Sequence, residues 1–276
     1  MYFSQPNRFL IFLAICFLIF LTGIFKIPVL DRDEARFATA SKTMLLEKEF
    51  IDIKMHDEPR YKKPVGIYWL QVGVNFIFGS TPYDNISLYR LPSILSLFSA
   101  FIFIFFRLKK ILNNDISFLT IFFLIFSLLT LSEMLQAKTD GALFLTITLC
   151  NLTIYSLIKN HSINYKEKFI FWCALAIGVL IKGPIILIFT IFPLLIFSVI
   201  KRKNFIKEIF SYLGFILFLA LILPWFTMIT IESKGAFWYE SVGHDLLGKV
   251  SSGQESHGFP PGYYLITTLL LFWPGS

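Results

Sequence analysis

Runs of mostly apolar residues recur along this chain, several about 20 residues long, the length a helix needs to cross the hydrocarbon core of a bilayer. They fall at 9–30, 86–106, 116–132, 141–158, 169–181, 183–200 and 206–230, with a last one beginning at 262. In lipid, every backbone N–H and C=O has to be satisfied inside the spanning segment, so such runs restrict the fold to a helical bundle. Composition agrees. Hydrophobic residues make up 56% of the chain and the mean hydropathy is +0.69, more apolar surface than a soluble domain can bury. The expectation is an all-α membrane protein with about eight spans, read from these runs. The run 169–181 is short. "KGP" at 182–184 is read as a tight turn between two spans rather than a kink, because 169–200 is too long for one crossing.

The net charge of +7 would suggest nucleic acid in a soluble protein. In a membrane protein, bases gather in cytoplasmic loops and set orientation, and no nucleic-acid partner is expected. With the N-terminus inside and the spans alternating, the inside segments are 1–8, 107–115, 159–168 and 201–208. They hold eleven Lys or Arg against three acids, whereas the short outside segments hold four bases, which fits the positive-inside pattern. Fifteen of the 18 acids then lie outside, so any chemistry faces away from the cytoplasm. The lead "MYFSQPNR" runs into an apolar stretch too long for a signal-peptide core, and the first span is expected to stay uncleaved. Cys16, Cys150 and Cys173 all fall in apolar runs with no metal-pair spacing and read as small buried hydrophobes.

The outside loop 31–85 carries structure of its own. In "DEARFATASKTMLLEKEF", Phe37, Ala40 and Met44 form one stripe with Ala38, Ser41 and Leu45 beside it, the spacing of an amphipathic helix at the interface. "IYWLQVGVNFIFG" reads as a second interfacial helix. Four outside clusters contain groups capable of chemistry. "VLDRDEARFATA" puts Asp33 and Arg36 on one helix face; a solvated helix start and an acid–base site are both open there. "RYKKPVGIYW" sets Tyr61 and Lys63 at the membrane surface, suited to a phosphate or to lipid headgroups. "SEMLQAKTDGALF" places Asp140 at the outer end of a span, a second carboxylate on the side of Asp33, and paired acids serve acid–base catalysis. "HDLLGKVSSGQESHGFPPGYY" brings His244, Asp245 and His257, without zinc-site spacing.

"DRDEARFA", "RYKKPVGIYW", "RLPS", "AKTDGAL", "IKGP", "PWF" and "HGFPPGYYL" follow one another in an order that resembles the protein O-mannosyltransferase and aminoarabinose transferase superfamily of membrane glycosyltransferases. The resemblance runs from residue 31 to residue 265. It implies a GT-C fold over 1–276, with 31–85 as a periplasmic loop, in a bacterial inner membrane. It also implies a polyprenyl-phosphate sugar donor, a lipid or protein acceptor, and inverting transfer at the outer face. On this resemblance Asp33 matches the catalytic aspartate and Asp140 the second acidic position. Arg36 supports the acidic site, Tyr61 and Lys63 hold the donor phosphate, and Lys182 and His257 make polar contacts near the headgroup. The aminoarabinose branch has Glu where this chain has Lys62, so aminoarabinose is not carried over as the sugar. No cofactor is assigned and a divalent metal is left open. Members continue into further spans and an outer soluble domain, so a chain ending "LLLFWPGS" is expected to be incomplete at its C-terminus. The alternatives are a transporter or lipid flippase, whose ionisable groups would sit near midplane on broken helices, and an inactive truncated scaffold.

Overall fold

The computed structural model describes residues 5–29, 31–248 and 262–276. The first helix, α1 (Pro6–Lys26), starts with Pro, whose missing N–H costs nothing in the first turn. The segment between α1 and the next long helix holds α2 (Arg32–Glu47), a two-residue hairpin pairing Lys54–Met55 with Glu58–Pro59, and α3 (Gly66–Phe78). Long helices α4 (Ile86–Leu108), α7 (Asp140–Asn160), α8 (Tyr165–Lys182) and α11 (Tyr212–Glu232) make the body of the bundle. Between them lie α5 (Asn114–Ile125), α6 (Leu128–Met134), α9 (Ile185–Ile200) and α10 (Phe205–Ile209). A short α12 (Ala236–Trp238), a π-helical segment (Tyr239–Leu246) and α13 (Tyr263–Leu271) complete the described elements.

Polar caps mark where these helices begin. Asn113 and Ser127 accept N–H bonds at the starts of α5 and α6, and Asn164 with Glu167 forms a reciprocal capping box at the start of α8. Ser127 also explains a correction. The expected span 116–132 is two helices, α5 and α6, bent by 61° at that cap. The estimate of about eight spans is not confirmed: among the described residues four helices, α1, α4, α7 and α11, are long and apolar enough to cross a membrane, or five if α5 and α6 count as one broken span. The apolar helix α9 has 16 residues. Lys182–Pro184 is a tight turn, with Gly183 at φ +70°, a conformation most side chains resist.

Packing assigns each part a place. One apolar cluster joins α1 to α4, α5 and α6 around Phe9, Phe98, Phe101 and Phe105. A second joins α7, α8, α9 and α10 around Phe171, Trp172 and Phe205. A third, around Phe37, Tyr61, Tyr68 and Trp225, fastens the first loop onto α8 and α11. The stripe Phe37–Ala40–Met44, with Ala38, Ser41 and Leu45, is the buried face of α2, as its periodicity requires. Exposed Leu, Ile and Phe side chains such as Ile15, Leu18, Ile19, Phe189, Leu213 and Ile231 coat the outside of the bundle, the surface a lipid solvent would wet.

Candidate active site at one end of the bundle

The site is built outward from a buried ion pair. Glu34 and Arg90 are each almost wholly buried and joined as a fork, Nε to Oε1 at 2.7 Å and Nη2 to Oε2 at 3.0 Å. The remaining guanidinium protons go to the carbonyls of Ile24, Ile27 and Pro28 at 2.9, 2.6 and 3.1 Å. Arg90 therefore holds the point where the chain leaves α1 and turns into α2. Glu34 also accepts the N–H of Ala137 at 2.9 Å, tying down the loop between α6 and α7. That loop is held from two further helices. Gln71 of α3 donates to the carbonyl of Ala137 at 3.3 Å, and Ser93 of α4 donates to that of Lys138 at 3.1 Å. Gly141 lets α7 approach α4 closely; a Cβ there would meet the Ser93 carbonyl oxygen at 2.8 Å.

On this frame sit the charged groups. Asp31 caps α2, accepting from the N–H of Asp33 at 2.6 Å and of Glu34 at 3.3 Å. Its other oxygen receives Lys138 Nζ at 2.8 Å. Burial alone would raise the Asp31 carboxyl, but Lys138 and the two backbone N–H groups outweigh it and hold the group below its ordinary range. Lys138 moves the other way: burial would lower it, and the charges of Asp31, Glu133 and Asp140 hold it above the usual lysine value. Asp33 is exposed, 3.4 Å from Arg36. Asp140 receives Lys182 Nζ at 2.6 Å across the turn that ends α8.

Lys63 and Tyr61 lie on a neighbouring wall. Gly66 brings them there; a Cβ on it would stand 2.7 Å from the Leu180 carbonyl, so only glycine lets α3 start against α8. Lys63 Nζ contacts Asp245 of the π-helical segment at 2.5 Å, and both are largely buried. Tyr61 is buried, and its hydroxyl donates to Asp52 at 2.9 Å. Burial, that bond and the charges of Asp52, Glu232 and Glu240 hold this hydroxyl well above its usual pKa. Beside Pro64 opens a cavity of about 680 Å³, lined almost wholly by apolar groups including Phe218, Phe226, Phe237, Trp238 and Val242. In the same turn, the Arg60 side chain lies over the Phe37 ring, 5.5 Å from its centre, next to Tyr68.

Of the residues singled out from the sequence, Asp33 with Arg36, and Asp140 with Lys182, form pairs. Tyr61 and Lys63 have Asp52 and Asp245 as partners, and His257 lies outside the described residues. Glu34, Arg90, Gln71 and Lys138 escaped the sequence reading. The signal for two of them was present: an arginine inside an apolar run at 86–106 needs a partner, and Glu34 adjoins Asp33. Among the described residues no three His, Cys, Asp or Glu side chains converge as a metal site would require.

Together these features define a multi-pass helical membrane protein with a charged site collected at one end of its bundle, next to an apolar cavity. A family model described as dolichyl-phosphate-mannose-protein mannosyltransferase matches residues 62–227, more than half the chain, and the chain belongs to that family. It is similar to an uncharacterised protein of Aquifex aeolicus, 23% identical over 273 residues, which cover 98% of this chain and 61% of that one. It is also similar to the undecaprenyl phosphate-α-4-amino-4-deoxy-L-arabinose arabinosyl transferase of Yersinia enterocolitica, 24% identical over 257 residues, covering 90% and 45%. The chain thus spans about half the length of the curated relatives it matches. In fold it matches the crystal structure of ArnT from Cupriavidus metallidurans bound to undecaprenyl phosphate. The TM-score is 0.84 at 16% identity, over 97% of this chain and 49% of that one. The helical GT-C fold expected from the motifs is the fold of this chain.

Proposed function

We propose that this chain carries the transfer site of a glycosyltransferase that takes a sugar from a polyprenyl phosphate and passes it to a lipid or protein acceptor. The observation that carries the reading is the setting of Lys63. A largely buried ammonium stands next to Pro64, which lines a cavity with almost no polar surface. A polyprenyl phosphate has that chemistry: an anion to meet the cation and a hydrocarbon tail to fill the cavity. The Yersinia relative's name specifies an undecaprenyl phosphate-linked sugar and the Cupriavidus protein was crystallised with undecaprenyl phosphate, which supports the same donor class here.

In the proposed step the acceptor oxygen attacks the anomeric carbon and the bond from that carbon to the phosphate oxygen breaks. The acceptor proton passes to a carboxylate, and the departing phosphate keeps the electron pair. Asp33 is the base: its carboxylate is exposed at a helix start, and Arg36 at 3.4 Å keeps it oriented. Asp140, paired with Lys182, is the second acid of the site. Lys63 takes up charge on the leaving phosphate. Tyr61 serves through its wall position, with its hydroxyl on Asp52, and His257, outside the described residues, supplies a polar contact to the headgroup. Residues 1–276 form the membrane domain, 31–85 its periplasmic loop, and the N-terminus is cytoplasmic, in a bacterial inner membrane. The distribution of bases in the sequence supports that orientation.

The test is transfer from a labelled polyprenyl-phosphate sugar pool in membranes. Transfer by the native chain and none by Asp33→Asn is the expected result. Unchanged transfer by Asp33→Asn removes Asp33 from the mechanism.

A further inference from the structure

Arg60 is a cation beside the site that the proposed mechanism leaves unused. Its backbone N–H donates to the Ile53 carbonyl at 2.7 Å, which closes the hairpin and fixes where the side chain starts. The side chain is 8% exposed. Its guanidinium lies over the Phe37 ring, and Nε is buried without a hydrogen-bond partner. Among the described residues no carboxylate forms an ion pair with it. Arg90 makes the contrast plain: also buried, it has all five protons accepted. A buried guanidinium left without an anion is costly, and folded proteins seldom keep one unless something else supplies the charge.

The surroundings say what would supply it. The Tyr68 hydroxyl is buried against the Arg60 side chain, with no acceptor for its proton. Burial pushes its pKa up to about 12, against the pull of Arg60 and with a smaller push from Asp33, so it stays protonated and able to donate. The Arg60 Nε–H and the Tyr68 hydroxyl, two buried donors without an acceptor, make a pocket for an oxyanion. Lys63, three residues on, turns to a different wall and meets Asp245.

We infer that Arg60 and Tyr68 form a second anion site, which binds a phosphate-class oxyanion of a substrate beside Asp33. Calling the anion a substrate group rests on the proposed transfer reaction; the binding itself does not. The phosphate is carried by the acceptor or by the donor, and the two sources separate in the test below. The Phe37 ring restrains the fork, and the hydroxyl sets the side from which the anion enters.

The purified chain in nanodiscs is titrated with inorganic phosphate and, separately, with undecaprenyl phosphate, for the native protein, Arg60→Met and Arg60→Lys. Inorganic phosphate binding is expected to weaken by about ten-fold or more in Arg60→Met. Thermal stability without ligand should hold or rise, because an unpaired buried charge has been replaced by an apolar chain of similar length. Arg60→Lys keeps the charge but loses the fork and should also bind phosphate more weakly. An undecaprenyl phosphate affinity unchanged by Arg60→Met assigns the oxyanion to the acceptor; a parallel loss assigns it to the donor, and either supports the site. Phosphate binding that both variants retain, or a native chain that binds no phosphate, overturns it. If Arg60→Met does not fold, Arg60→Lys alone decides. Failure of sugar transfer with Arg60-dependent phosphate binding intact would remove the transfer reading and leave the anion site.

Discussion

Glu34→Gln tests the frame beneath the proposed site. The substitution keeps size and shape but removes the charge that Arg90 faces across 2.7 and 3.0 Å. Arg90 has no exposed surface, so water cannot replace the lost anion. The glutamine amide also brings donors toward a group that has only donors, and one of its two contacts becomes a clash of N–H against N–H. Breaking one partner of a buried pair costs about 3–5 kcal/mol, because the other charge is left uncompensated. At about 2–4 °C per kcal/mol for a chain of this size, the unfolding midpoint should fall by roughly 6–20 °C.

The assay is thermal unfolding of the purified protein in one detergent, followed by tryptophan fluorescence, since Trp225 is buried in the cluster that holds the first loop. The double variant Glu34→Leu with Arg90→Met supplies the control. It removes both charges, and with them the electrostatic part of the loss. The N–H of Ala137 and the carbonyls of Ile24, Ile27 and Pro28 lose their partners, at about 1–3 kcal/mol for each that stays buried. A Glu34→Gln protein within about 1 kcal/mol of native, the range of an exposed pair, would refute the reasoning.

Three further outcomes follow from the same geometry. Asp31 is held below its ordinary 3.8, so its contribution is complete above that value and lost as pH falls through the folded-state pKa. Lys138 is held above 10.5, and its contribution is lost only as pH rises beyond that. The stability gap between native and Lys138→Met should thus be modest, about 1 kcal/mol for a pair only half-buried. It should stay flat from about pH 5 to about pH 9 and narrow in acid; a gap that widened in acid would contradict it. Gly66→Ala should lower stability by about 1–3 kcal/mol, since the new methyl would stand 2.7 Å from the Leu180 carbonyl. Native-like unfolding would show that α3 can step away from α8. Lys63→Ala should weaken undecaprenyl phosphate binding by about ten-fold or more in a direct titration; equal affinity would move the donor phosphate elsewhere.

Local periodicity was enough to read α2. Its buried face is a 3.6-residue stripe, and each member is visible within 16 residues. The bend at Ser127 was not legible, because a single cap inside an apolar run changes hydropathy little while ending one helix and starting another. The partners of the site residues were hidden for a different reason. Glu34 meets Arg90 from 56 positions away, Lys63 meets Asp245 from 182, and Lys138 meets Asp31 from 107. Spacing within one segment carries no information about such pairs. Tyr61 and Asp52 are only nine apart, yet they meet because the hairpin 54–59 folds the chain back between them, a turn that "HDEPRYKKPVG" signals only loosely.

The charge cluster after the first span shows how one short stretch serves structure and chemistry together. Successive helix residues point about 100° apart, so neighbouring acids at the start of α2 cannot share an environment. Glu34 turns inward to Arg90 and is buried, whereas Asp33 turns outward and stays exposed. Asp31, one step before the helix, holds the N–H groups of both and is itself held by Lys138 from the α6–α7 loop. The exposed acid is therefore mounted on a helix start fixed through Arg90 to α1 and α4, and through Ala137 and Lys138 to the loop that leads to Asp140. Moving Asp33 relative to Asp140 would require breaking the buried pair. That is the physical reason to expect Glu34 substitutions to impair transfer even where the protein still folds, without Glu34 touching a substrate.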